Sequence, residues 1–500
     1  MPLRFTWIGR RLVYVGLFIL GGVIFAACGH TATEIAATPA QSQPAPISTS
    51  PAAADAAARA KTDSTATQSA VTAPSVQSPS RSAPAQTLPT VAPTTVAIPT
   101  ATSAPLQQMA GTITTSPTPD TQPVPTAAPI VATDSEQSSV TPDPDYERAL
   151  NAARLSTNGW DTDFSLHTVP YSQIRFVIPR DNIPSIDVPK FVAPSEAAWL
   201  KDVEPVVSLD IDGDARAYPL QILTWHEIVN DTVGGVPVSV TFCPLCNSAI
   251  AFDRRLDGEV LEFGVSGNLR NSDLIMYDRQ THTWWQQFTG EGIVGEHAGR
   301  MLEYLPASIV SFADFSRAHP DGKVLSRETG FARQYGRNPY AGYDTYDGNP
   351  FLFNGDLDGR LLPVERVIAV SLAGVDLAFP LSVLQEERVI NYEVGERQIA
   401  VFHKFGTSSA LDASTIAESR DVGAAGVFDA VLDGQTLTFG AEEDRIVDDQ
   451  TGSAWDIFGN ATDGPLAGKK LTPVVHGNHF WFAWAVFKPD TILYQGEDGA

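Results

Sequence analysis

The sequence predicts a mainly β protein, an α+β chain with few short helices, built from two tandem, diverged copies of one β-rich unit behind a disordered stalk. Three observations carry this expectation. Short apolar and β-branched runs punctuated by Asp-Gly turns begin at Val206. A set of Gly, Pro and Trp landmarks in the first half of that region returns, in the same order, in the second half. The stretch from Gly29 to Asp145 lacks aromatics and is poor in charge.

Taken in order, residues 1–28 read as a targeting segment. Arg4, Arg10 and Arg11 precede an apolar run, Leu12 to Ala27, and Phe25-Ala26-Ala27-Cys28 places small residues before a cysteine. This resembles a bacterial lipoprotein signal peptide that ends at a lipidated Cys28. It implies a chain anchored to the cell membrane through lipid, on the extracytoplasmic face; an uncleaved anchor would give almost the same location. Residues 29–145, rich in Ala, Pro, Thr and Ser, cannot bury enough apolar surface to offset their ordering entropy. They are expected to form a disordered tether, partly polyproline-like, spanning on the order of 60 Å as a coil.

Residues 146–345 are expected to form the first unit. Val206 to Leu209 and Ala215 to Tyr218 flank Asp212-Gly213-Asp214 as a hairpin. Leu223 to Asn230 has room for two helical turns. Val236 to Phe242 and Ala249 to Arg254 are strands, and Asp257-Gly258 turns the chain before Val260 to Phe263. Leu274 to Tyr277 and Thr283 to Gln286 flank another turn, and Ser311 to Ala318 is the best helix, with Pro320 beyond its end.

Residues 346–500 are expected to repeat this unit. Ala217-Tyr218-Pro219-Leu220 answers to Ala378-Phe379-Pro380-Leu381, Asn230 to Asn391, and Leu256-Asp257-Gly258 to Leu432-Asp433-Gly434. Asp278, Gln280, Thr281, Trp285 and Phe288 answer to Asp448, Gln450, Thr451, Trp455 and Phe458. Residues kept in both copies are expected to be scaffold, because both copies must fold. Residues special to one copy are freer to carry function. In the second copy Glu387 stands for His226, Lys404 for Cys243, Thr407 for Cys246, Ile446 for Met276 and Gly452 for His282. The first copy therefore carries the site.

A net charge of −25 argues against nucleic acid as a partner, since phosphates need a basic face. No phosphate loop is present, so no nucleotide cofactor is indicated: the glycines of Phe263 to Arg270 lack the spacing and the strand-to-helix setting.

The chemistry concentrates in Cys243-Pro244-Leu245-Cys246, which holds all the cysteines except Cys28. A strand runs into the pair and another leaves it, the setting of a metal knuckle rather than of a thioredoxin-type helix start. Asn247 sits where such a turn needs φ > 0, for which Asn is second to Gly. His226 is the first further ligand candidate, and Met276 and His282 follow. Thiolates with His or Met suit copper or zinc and do not suit magnesium or calcium. The redox alternative uses the same residues, Cys243 and Cys246 as a thiol–disulfide couple with His226 as base. A strained local disulfide and a cysteine nucleophile remain further options. The loop holding Tyr335, Tyr340 and Tyr343 could edge a site or simply link the copies. Trp284-Trp285 and Trp481 to Trp484 suit core packing better than glycan stacking.

The runs Trp225-His226-Glu227-Ile228-Val229-Asn230-Asp231, Thr241-Phe242-Cys243-Pro244-Leu245-Cys246 and Asp273 to Thr281 closely resemble the prokaryotic family known as domain of unknown function 3179. The resemblance covers about Glu204 to Tyr343, with the second copy a diverged version. It implies that Trp225, His226, Cys243 and Cys246 are signature positions, and it brings no established activity. The expectation from sequence is an extracytoplasmic, membrane-anchored lipoprotein that binds a thiophilic metal, copper or zinc. A thiol–disulfide oxidoreductase or redox sensor is the alternative, and a surface glycan- or protein-binding module a third.

Overall fold

The computed structural model describes residues 140–345 and 348–496. The basic leader, Cys28 and nearly all of the predicted tether lie outside these residues.

Among the described residues strands dominate, with five short α-helices: α1 Tyr146–Ala153, α2 Leu220–His226, α3 Phe312–Ala318, α4 Leu381–Glu387 and α5 Trp481–Phe487. Two structurally similar β-rich units follow α1. In the first, Pro205–Ile211 and Asp214–Pro219 pair antiparallel about Asp212-Gly213, both with φ > 0, as the Asp-Gly turn demands. Ala307–Ser311 and Lys323–Leu325 flank that pair, and Phe191–Val192 adds an edge beyond Lys323–Leu325. A second sheet orders Tyr304–Leu305, Ser248–Asp253, Val236–Cys243 and Ile228–Val233. A third carries Phe263–Arg270, Asp273–Asp278, Trp284–Gln286 and Gly292–Val294.

The second unit repeats these strands in the same order, without the edge strands Ile174–Phe176 and Phe191–Val192 that the first unit adds. Gly477–Phe480, Arg366–Leu372, Val375–Pro380 and Ile492–Leu493 form its first sheet, in the same order as their counterparts. Val389–Val394, Arg397–Lys404 and Ala424–Asp429 form the core of its second. α2 and α4 each follow a proline, Pro219 and Pro380, whose fixed φ and missing N–H suit a helix start. α3 begins at Ser311, whose hydroxyl accepts the Asp314 N–H at 3.0 Å.

The residues shared by the two units do identical structural work. Asn230 bridges the second and third sheets by donating to the Phe263 carbonyl and accepting its N–H; Asn391 does the same with Phe439. Asp278 accepts the Thr281 N–H and the Trp285 indole N–H, and Asp448 accepts those of Thr451 and Trp455. Trp284, Trp285, Trp481 and Trp484 are all buried. One hydrophobic cluster joins Phe242, Cys243 and Cys246 of the first unit to Phe480, Trp481 and Trp484 of the second.

Burial keeps His403 and His479 neutral, pushing their pKa values down to about 4 and about 3. The unfolded chain takes up these protons near the ordinary histidine value of about 6.5. The stability the neutral rings support is therefore complete above about pH 6.5 and lost as pH falls toward those values. Urea midpoints are expected to fall across that window, and to fall less steeply in His479→Val.

Candidate metal centre

The Cys pair closes the hairpin between Val236–Cys243 and Ser248–Asp253. Cys243 pairs directly with Ser248, and Pro244–Cys246 forms a single 3-10 turn between them. Asn247 adopts the left-handed conformation, φ 50 and ψ 34, as expected from sequence. Its side-chain amide donates to the backbone carbonyl and the side-chain oxygen of Asn478, at 3.0 and 3.1 Å. The knuckle is thus tied to the second unit.

Both cysteines are free thiols, 2% and 0% exposed. The residue that joins them is Asp273. One ligand atom from each of Cys243, Cys246 and Asp273 lies within 4.8 Å of the others, a grouping that could hold a metal ion. Asp273 opens the strand Asp273–Asp278 just after a turn at Asn271-Ser272, where both residues have φ > 0. The hairpin from Phe263–Arg270 to Asp273–Asp278 outruns its counterpart, Phe439–Glu442 with Arg445–Asp448, and that extra length delivers the carboxylate.

Asp273 Oδ2 accepts the Gln286 amide at 2.6 Å and the Phe288 N–H at 2.9 Å. Oδ1 is sealed with no hydrogen-bond partner of ordinary geometry, and the carboxylate interacts with both thiols. Burial raises the Asp273 pKa to about 6, against the opposing pull of Gln286 and Phe288. The same desolvation pushes the Cys243 thiol up and the Cys246 thiol well above its ordinary value.

A second carboxylate stands nearby. Glu227, 8% exposed, has its pKa raised to about 8 by burial and then by the Asp273 charge. It ends α2 with φ 60, its N–H on the Leu223 carbonyl and its own carbonyl accepting the Phe242 N–H. Arg388 ends α4 in the same backbone conformation with the same two bonds. The backbone is shared; the acidic side chain belongs to the first unit alone. Tyr340, from the segment that connects the units, is half-buried where it feels both Glu227 and Cys243.

The other residues singled out from sequence are placed elsewhere. His226 is fully buried, with Nδ1 2.7 Å from the Pro184 carbonyl and Nε2 2.7 Å from the Tyr335 hydroxyl, which also meets Thr329. Its role in the structure is to seat the tyrosine-rich loop. Met276 packs in the core opposite Trp285. His282 occupies a turn position with φ 57, where Gly452 has φ 72, and its Nδ1 accepts the Asp161 N–H. Lys404 does occupy the place of Cys243, but Thr407 is not the counterpart of Cys246. Lys404 pairs with Ala424, so a long loop, residues 405–423, replaces the whole knuckle.

His226→Gln is expected to leave metal content unchanged and to speed proteolysis within residues 329–337, because it loosens that loop. Loss of metal in this variant would put His226 back in the site.

Asp273 and Glu227 were missed by sequence reasoning. For Glu227 the signal was available, as Arg388 answers to it. For Asp273 the signal was the longer first-unit hairpin.

The family described as Protein of unknown function (DUF3179) matches residues 180–491. No curated protein and no solved structure matches the chain.

Proposed function

We propose that this chain, which belongs to the DUF3179 family, binds a thiophilic metal ion at Cys243, Cys246 and Asp273, zinc in preference to copper. The observation that carries the reading is the buried Asp273 carboxylate, whose Oδ1 has no hydrogen-bond partner of ordinary geometry, grouped with two free thiols. Leaving such an oxygen unpaired costs about 1–3 kcal/mol, more when it is charged. A cation removes that cost. Two sulfurs with a carboxylate oxygen are an ordinary zinc donor set, whereas copper(I) prefers a soft third ligand, and Met276 is not among these residues.

Cys243 and Cys246 would bind as thiolates, giving up protons that burial now holds on them. Asp273 would bind through Oδ1 while Gln286 and the Phe288 N–H hold Oδ2. Zinc held there would supply the positive charge that replaces the thiol protons. Glu227, its pKa raised to about 8 chiefly by burial, would limit the negative charge of the site.

The leader and Cys28 support an anchored lipoprotein on the extracytoplasmic face, with metal storage or delivery as its role. Among the described residues no helix is long and apolar enough to cross a membrane. The two free thiols on one turn favour one second reading, a thiol–disulfide couple using the same cysteines.

Metal analysis of the purified protein after reduction and desalting separates the two. About one equivalent of zinc per chain supports the metal reading. A metal-free dithiol with a measurable reduction potential would sink it and favour the redox couple.

A further inference from the structure

A cavity of about 370 Å³ opens between the two units, with Phe288 in its wall. We infer that it is a binding site for a small planar aromatic molecule that carries a hydrogen-bonding group and no positive charge.

The walls dictate the shape. The His479 ring lies parallel to Trp484, with an interplanar angle of 5° and centroids 5.9 Å apart, and its centroid is 4.6 Å from that of Phe288. Phe288, Trp484 and Tyr304 line the space with ring surfaces, and Ala249, Ala307 and Ala369 leave it open. The volume falls within the roughly 300–1,000 Å³ of small-molecule pockets, toward the lower end, and suits one or two fused rings.

Charge narrows the class. Among the described residues no carboxylate lines the cavity, and Lys488, the one lysine or arginine that does, is paired with Asp376 at 3.1 Å. A cationic ligand would be desolvated there without a counter-charge.

His479 supplies the polar contact. The side chain is 4% exposed, and neither ring nitrogen has a hydrogen-bond partner among the described residues. Nδ1 is sealed, which leaves Nε2 as the atom a ligand can meet. A buried imidazole left unpaired is costly, and the fold does not require it. The register places Val310 at the equivalent position of the first unit: Val310 pairs with Val206 as His479 pairs with Val367. Gly477 is shaped to the same end, because a Cβ there would overlap the His479 ring. The asymmetry that marks Cys243 and Cys246 in the first unit marks His479 in the second.

Isothermal titration of the full chain with 2-naphthol, indole, 2-naphthoate and 2-naphthylmethylammonium tests this. At least one of the first three is expected to bind once per chain, and the ammonium at least tenfold more weakly. Ala307→Leu, which fills the cavity, and His479→Val, which installs the first unit's residue, are each expected to weaken binding tenfold or more. Thermal unfolding of each variant verifies that it is folded. Absence of binding by all three probes overturns the proposal, as does binding that neither folded variant moves or an ammonium that binds as tightly as the rest. Zinc content is measured on the same samples and is expected to be unchanged, so failure here is distinguishable from failure of the metal reading.

Discussion

Cys243→Ser/Cys246→Ser is expected to lower bound zinc from about one equivalent per chain to less than about a tenth, with the β-sheet circular dichroism retained. A hydroxyl is a poor zinc ligand at neutral pH, and with both sulfurs gone only Asp273 remains of the cluster. The fold should survive because the second unit closes the same hairpin with no cysteine, from Lys404 to Ala424. Asp273→Asn keeps the shape and the Oδ2-side contacts while removing the charge. Its loss of affinity in competition with a chelating dye should be at least the roughly 10–100-fold cost of disturbing an outer-shell partner. Zinc retained at full occupancy in the double serine variant would place the metal elsewhere.

Trp285→Ala is expected to cost about 3–5 kcal/mol in urea unfolding, the scale of a large aromatic removed from a packed core. Trp285 is fully buried, packs edge-on against Phe263 and donates to Asp278, so the variant opens a cavity and strips a partner from a buried carboxylate. Its neighbour provides an internal control. Trp284 is equally buried, but its indole N–H has no partner among the described residues. Trp284→Phe should therefore cost less than Trp285→Phe, because the first deletes an unsatisfied donor and the second a satisfied one. Equal costs would mean that the Asp278 bond contributes nothing.

The parts of the fold legible in the sequence are those written in local chemistry. Asp212-Gly213 and Asp257-Gly258 turn the chain where such dipeptides must, and Ser311 caps the helix it introduces. Asn247 was legible for the same reason, since only a few residue types accept its backbone angles. The third member of the cluster was not. Asp273 is one of 58 acidic residues, and nothing local distinguishes it. Its place depends on how far one hairpin extends relative to another sheet, which is a tertiary quantity. His226 is a familiar ligand type one segment upstream of the cysteines. Its ring instead meets Pro184 and Tyr335, partners distant in sequence. Thr407 does not stand for Cys246 because loop 405–423, inserted between the paired Lys404 and Ala424, has no length counterpart in the first unit.

The bond from Asn247 to Asn478 bears on how this protein can be taken apart. The knuckle rests on a strand contributed by the far end of the chain, and its cysteines share a core with Phe480 and Trp481. A fragment stopping after the first unit would contain every residue of the cluster and would still expose that cluster's inner wall to water. Gene dissection should therefore yield aggregating halves, and the smallest piece that can be shortened, fused or transplanted is the pair together.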